Sequence, residues 1–246
     1  MSKVPILGVA FDNLDTHEFQ NEFISRLNNH LSTLIVTANP EIVMAARQDP
    51  DFMRIINEDA DYVTPDGIGV VKAAKMLKTP LKERVTGYDL FVWLMRVADL
   101  RGLRVYLLGA KPEVIAAVKD KVAREYPGIN LVGAYDGYFQ DSLEDEAKKI
   151  AATQPDLVFA AIGFPRQEEL LAMLRRTDVP ALMMGVGGSF DAFSGAVKRA
   201  PKFVQRAHME WFYRLVKNPS RFKRSLVLPQ FVAEVKRTQR SRRRKK

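Results

Sequence analysis

Two rhythms of apolar residues alternate along the chain. Short, apolar, β-rich runs fall at residues 6–11, 33–37, 62–64, 104–109, 130–134, 157–163 and 181–186. Between them lie stretches whose apolar positions recur at helical spacing, over 16–30, 40–47, 51–58, 68–77, 88–101, 112–126, 142–153 and 166–175. This alternation predicts an α/β fold, a mostly parallel Rossmann-like sheet with helices on both faces. Ligands of such sheets collect beyond the carboxyl ends of the strands. Five runs end in turns of the kind a polar ligand uses: Thr37-Ala38-Asn39-Pro40, Thr64-Pro65-Asp66-Gly67, Gly109-Ala110-Lys111-Pro112, the stretch from Gly163 to Glu168, and the glycine-rich stretch from Gly185 to Asp191. Asn39, Gly109, Lys111 and Gly187 are therefore candidate substrate contacts. Glycine turns that open helices can cradle a phosphate through free N–H groups, although each alone also reads as an ordinary tight turn.

The pattern changes near residue 196. From there to Lys246 there are 17 Lys/Arg against two acids, Glu210 and Glu234, whereas the preceding residues hold 21 bases against 27 acids, so charges of +15 and −6 make up the net +9. The expected organisation is an α/β catalytic core over residues 1–195 and a basic appendage over 196–246. In the appendage Phe203, Val204, Ala207, Trp211, Phe212, Leu215 and Val216 share one helical face, with Lys202, Arg206, Arg214 and Lys217 toward the other. Pro219 can open a second helix with apolar Phe222, Leu226 and Val227 and basic Arg221, Lys223 and Arg224. The final "KRTQRSRRRKK" is expected to be disordered. So much localised positive charge calls for a polyanionic partner, an anionic membrane surface or a nucleic acid. A basic amphipathic helix carrying Trp favours the bilayer, and docking of its apolar stripe on the core is the alternative.

Composition narrows the chemistry. Apolar residues make up 47% of the chain, as in a folded domain, and there is no cysteine, which excludes disulfides, thiolate metal sites and Cys nucleophiles. No signal peptide is expected after Met1, and no apolar run approaches the roughly 20 residues of a membrane span; a soluble or peripheral protein is expected. His17, His30 and His208 lie far apart, and the pairs Asp49/Asp51 and Asp59/Asp61 do not end strands, so no metal site is expected. Walker and dinucleotide fingerprints are absent and no cofactor is indicated. A carboxylate, glycine turns and many arginines remain, parts that suit displacement of a diphosphate leaving group with cationic side chains in place of a metal. Asp66 reads as a helix N-cap or as a general base. Arg84 reads as an anion binder or as a surface ion-pair partner.

The motifs "TANPEIVMAA", "ADYVTPDGIGVV", "ERVTGYDLF", "LLGAKPEV", "GFPRQE", "GVGGSFDAFSG" and "KRAP…EWFYRL…PSRFKR" occur in order over nearly the whole chain. Together they resemble the WecG/TagA/CpsF glycosyltransferases, and most closely the TagA type. The resemblance implies metal-independent, inverting transfer of N-acetylmannosamine from UDP-N-acetylmannosamine to undecaprenyl-diphosphate-linked N-acetylglucosamine, an early step of wall teichoic acid synthesis on the inner face of a bacterial membrane. It implies Asp66 as the base, Thr37 as a positioning group beside it, and Arg84 and Gln167 as contacts to substrate or leaving group. Arg214, Arg221 and Arg224 match arginines of an appendage that closes over the site and meets diphosphates. The chain departs from the usual pattern at His208-Met209 and at Leu170-Leu171. A transferase of another UDP-sugar, a nucleic-acid-binding protein and a non-catalytic nucleotide-sugar sensor are the rival readings. A homo-oligomer is compatible with the sequence, which sets no oligomeric state.

Overall fold

In a computed structural model of the chain, six strands form one parallel sheet. The structure describes residues 2–197, 201 and 227–244. Before the sheet comes an antiparallel hairpin, β1 (Lys3–Ile6) and β2 (Val9–Asp12). The sequence predicts one strand over 6–11, but Leu7 and Gly8 both take positive φ, +51° and +98°, and so form a two-residue turn that reverses the chain. The sheet itself follows the order β4-β3-β8-β7-β5-β6. Its strands are β3 (Thr33–Ala38), β4 (Tyr62–Pro65), β5 (Arg104–Gly109), β6 (Asn130–Tyr135), β7 (Leu157–Ala161) and β8 (Leu182–Gly185).

Alternate strand residues feed two apolar cores, because successive side chains of a strand point to opposite faces. On β3, Leu34 and Val36 pack to one side and Ile35 to the other; Val158 and Phe159 divide in the same way on β7. Helices α1 (Thr16–Asn28), α5 (Gly87–Arg101), α6 (Pro112–Glu125) and α9 (Ser189–Phe193) cover the Ile35 face. The Leu34 face carries α2 (Pro40–Ala46), α3 (Pro50–Arg54) with a π-helical turn at Ile55–Asp59, α4 (Ile68–Met76), α7 (Leu143–Ala152) and α8 (Arg166–Arg175). With helices on both faces, the strands are buried on both, and this is why they read as continuous apolar runs. The short α9 was not expected.

One further helix, α10 (Val227–Arg244), lies against α2 and α4. Disorder is expected over 236–246, yet the helix extends to Arg244. Its apolar positions explain the difference: Leu228, Phe231 and Val235 recur at i, i+3 and i+7, and Phe231 and Val235 are fully buried. Arg47 pairs with Glu234 at 3.1 Å, and the Gln239 amide donates to the Met76 carbonyl. Once that seam is docked, the basic end continues as helix. No helix of the described residues is long and apolar enough to cross a membrane. The helix expected over 203–216 and most of the one expected after Pro219 lie outside the described residues.

Candidate active site

A cleft of about 1030 Å³ opens at the carboxyl ends of β3, β4, β7 and β8, with α4 and α10 forming its outer wall. From β3 the chain crosses to one side of the sheet, to β4, while β8 is reached from β7 on the other side. The cleft thus lies at the point where strand order reverses, the usual ligand site of an open α/β sheet.

Thr37 and Asn39 come from the end of β3. Thr37 Oγ1 donates to the carbonyl of Gly185 at 3.1 Å, which fixes the side chain across the β3–β8 boundary. Gly87, the first residue of α5, lies so close that a Cβ there would meet Thr37 Oγ1 at 2.9 Å. Asn39 caps α2, its Oδ1 accepting the N–H of Ile42 at 3.0 Å, with Pro40 at the first helical position. Both residues line the cleft.

Asp66 stands one residue beyond β4 and is half-buried. Its N–H donates to the carbonyls of Ala38 and Thr64, each at 3.0 Å. The N-cap position of α4 falls on Gly67, whose φ is +101° and which has no side chain to cap with. The expectation of Asp66 as N-cap therefore fails, and its carboxylate lines the cleft. Val85 donates its N–H to the Pro65 carbonyl at 3.1 Å. That bond brings the loop carrying Arg84 to the Asp66 turn, and half-buried Arg84 lines the same cleft. Thr86, the N-cap of α5, and Tyr88 follow at its rim.

Across the cleft, α8 begins with Arg166, Gln167 and Glu168. Gln167 is buried and lines the cleft. Its Oε1 accepts the N–H of Gly187 at 3.3 Å and its Nε2 donates to Glu168 Oε1 at 2.7 Å. Burial pushes the Glu168 carboxyl up to about 7, with the Gln167 hydrogen bond opposing that rise. Gly187, at φ +50° and with open space where a Cβ would lie, faces the cleft.

Two expected contacts are not at the cleft. Lys111 is solvent-exposed at the start of α6, 4.0 Å from Glu113. Gly109 takes φ +130° and packs so closely on the neighbouring strand that a Cβ would lie 2.5 Å from the Ala161 backbone, so only glycine fits. Neither lines the cavity, where Ala110 stands instead. Three of the four paired aspartates have structural partners: Asp49 caps α3, Asp59 pairs with Arg176, and Asp61 at the opposite end of β4 holds Arg26 and Arg175. Among the described residues no group of three or more His, Asp or Glu is arranged to hold a metal. Arg214, Arg221 and Arg224 lie outside the described residues. Glu168 and Gly87 were missed from sequence. Glu168 is followed at i+3 and i+4 by buried Leu171 and Ala172, a carboxylate on an apolar stripe that could have been noticed; nothing local marks Gly87.

The chain matches the model of the family described as glycosyl transferase WecG/TagA/CpsF over residues 4–245. It is 46% identical over 236 residues to a protein of Bacillus spizizenii, covering 96% of this chain and 91% of that one. Identity is 43% over 218 residues to a protein of Bacillus subtilis (87% of this chain, 84% of that one) and 38% over 245 residues to one of Staphylococcus aureus (97% and 94%). All three relatives are named N-acetylglucosaminyldiphosphoundecaprenol N-acetyl-beta-D-mannosaminyltransferase. A single family match across the chain, together with relatives aligned over nearly their full lengths, makes this chain a member of the WecG/TagA/CpsF glycosyltransferases.

Proposed function

We propose that this glycosyltransferase moves N-acetylmannosamine from UDP-N-acetylmannosamine to N-acetylglucosamine carried on undecaprenyl diphosphate, with inversion, without a metal, and at the cytoplasmic face of the membrane. The observation that carries the reading is convergence. Thr37, Asp66, Arg84 and Gln167 come from four separated segments and line one cleft at the reversal point of the sheet.

In this mechanism the acceptor hydroxyl attacks the anomeric carbon of the donor. Asp66 takes the hydroxyl proton, the new oxygen–carbon bond forms, and UDP departs from the opposite face with the electrons of the broken bond. Thr37, held on Gly185, positions the sugar beside that carboxylate. Arg84 and the amino-terminal turn of α5 face the departing diphosphate, a guanidinium and a positive helix end acting where negative charge develops. Asn39, Gln167 and the turn at Gly187 complete the donor side. Leu228 and Val232 on α10 give the outer wall an apolar surface, with Lys236 beside it, and this suits an acceptor whose diphosphate continues into a lipid. Arg214, Arg221 and Arg224 add charge to the diphosphates, and the basic appendage over 196–246 meets the anionic bilayer.

The experiment is direct. The protein is incubated with a panel of UDP-sugars and short-chain lipid-diphosphate N-acetylglucosamine in the presence of a chelator, and the product is identified by mass. The expected product gains one N-acetylhexosamine from UDP-N-acetylmannosamine alone. Transfer from another UDP-sugar would reassign the donor, and loss of activity on chelation would remove the metal-free step.

A further inference from the structure

Gln167 and Glu168 are consecutive on a helix, so their side chains leave the axis about 100° apart. They nevertheless meet beneath the end of β8, because Gly185 leaves room for them. A Cβ at Gly185 would lie 2.5 Å from Gln167 Nε2 and 2.9 Å from Glu168 Oε1. Gly185 also supplies the carbonyl that holds Thr37. Glu168 is 1% exposed, does not line the cleft, and its Oε2 has no hydrogen-bond partner among the described residues. A buried carboxylate spending one oxygen on a neighbouring amide and nothing on the other is expensive for stability. An apolar residue would suit this position on α8 better unless the amide bond has a use.

The chemistry of the amide supplies that use. The N–H of Gly187 can only donate, so the atom of Gln167 facing it must be the carbonyl oxygen, and the NH₂ group must face the other way. Without an acceptor on that side, the NH₂ would be buried and unpaired, and the side chain would gain by rotating out toward water in the cleft. We propose that Glu168 is a positioning residue: by accepting from Gln167 Nε2 it locks that amide in one orientation, with its carbonyl on the 187–188 turn and its second N–H fixed in direction. The inference rests on the reading of Gln167 as a contact to the UDP-sugar. Oε1 can accept in either protonation state, since the proton of the acid form sits on the unpartnered Oε2. The lock therefore does not need a charged carboxylate, and glutamine at this position keeps the acceptor.

The test measures UDP affinity by calorimetry and donor KM and kcat by product formation, in full-length protein. Glu168→Met keeps length and apolar volume but removes the acceptor. It is expected to weaken UDP binding and raise donor KM about tenfold or more, the usual effect of stranding one buried donor, with kcat and acceptor KM within about threefold of wild type. Glu168→Gln is expected to stay within about threefold of wild type in all of these. In a Gln167→Ala background, Glu168→Met should cause no further loss, because its effect passes through the amide that has been removed. Should Glu168→Met not fold, Glu168→Asp withdraws the acceptor by one methylene and the same loss of UDP affinity is expected. Wild-type UDP affinity in folded Glu168→Met or Glu168→Asp would overturn the inference, as would an additive loss in the Gln167→Ala background. Unchanged UDP binding on Gln167→Ala would overturn it while leaving the transferase reading intact. A wild-type protein that neither bound UDP nor transferred sugar would remove both.

Discussion

At the scale of single residues, the cleft depends on places where side chains are absent. Gly87 touches the Thr37 side chain, with the position of its missing Cβ only 2.9 Å from Oγ1. Gly87→Ala should push Thr37 off the Gly185 carbonyl and lower turnover at least tenfold, while overpacking costs about 1–3 kcal/mol of stability. Steady-state kinetics beside thermal unfolding would separate the two, and full activity would show that Thr37 can yield. Glu168 gives a pH signature. Its folded-state value, raised to about 7 from an ordinary 4.5, means that the native protein binds more protons than the unfolded chain between those limits. Stability should therefore fall as pH rises from about 4.5 through about 7, and Glu168→Gln should remove part of that slope. Burial raises Asp12 and Glu146 as well, so the comparison is the difference between variant and wild-type denaturation curves; identical slopes would show that Glu168 does not titrate in this range. Asn39, Asp66 and Gly187 were legible as cleft residues because strand-end turns announce themselves, whereas Thr37, Arg84 and Gln167 were singled out by the family motifs. Gly109 and Lys111 sit in a turn of the same kind, and only the fold shows that it meets the cleft through Ala110 and not through them.

At the scale of elements, the eight longer helical stretches and the strand alternation were readable from apolar spacing alone. The short α9, the hairpin and the basic end were not. The hairpin β1–β2 hid inside one apolar run because only Gly8 marked its turn. The basic end was read as disordered because its charge outweighed a three-residue apolar seam, and the partner of that seam, the groove between α2 and α4, exists only in the fold. Phe231 is the centre of the seam and fully buried. Phe231→Ala should cost about 3–5 kcal/mol of local packing, seen as faster hydrogen exchange and proteolysis within α10. Transfer should fall with it, since α10 walls the cleft. Unchanged protection in α10 would show that Phe231 does not hold the helix in place.

At the scale of the whole molecule, charge is unevenly spread along the chain: residues 1–195 sum to −6 and residues 196–246 to +15, and α10 from the second stretch walls the cleft. The protein should bind vesicles containing anionic phospholipid, release them as ionic strength rises through about 0.5 M, and ignore zwitterionic vesicles. Co-sedimentation reads this out. Tight binding to random duplex DNA with no vesicle binding would favour the nucleic-acid reading instead.

The most direct measurement is single-turnover transfer by Asp66→Asn, with UDP affinity measured on the same preparation. Asparagine keeps the size of the side chain but cannot take the proton. UDP affinity within about twofold of wild type, with transfer slowed roughly 10²-fold or more, is the expected result. Transfer at the wild-type rate would mean that another group removes the proton, and the mechanism built on the Asp66 turn would be wrong.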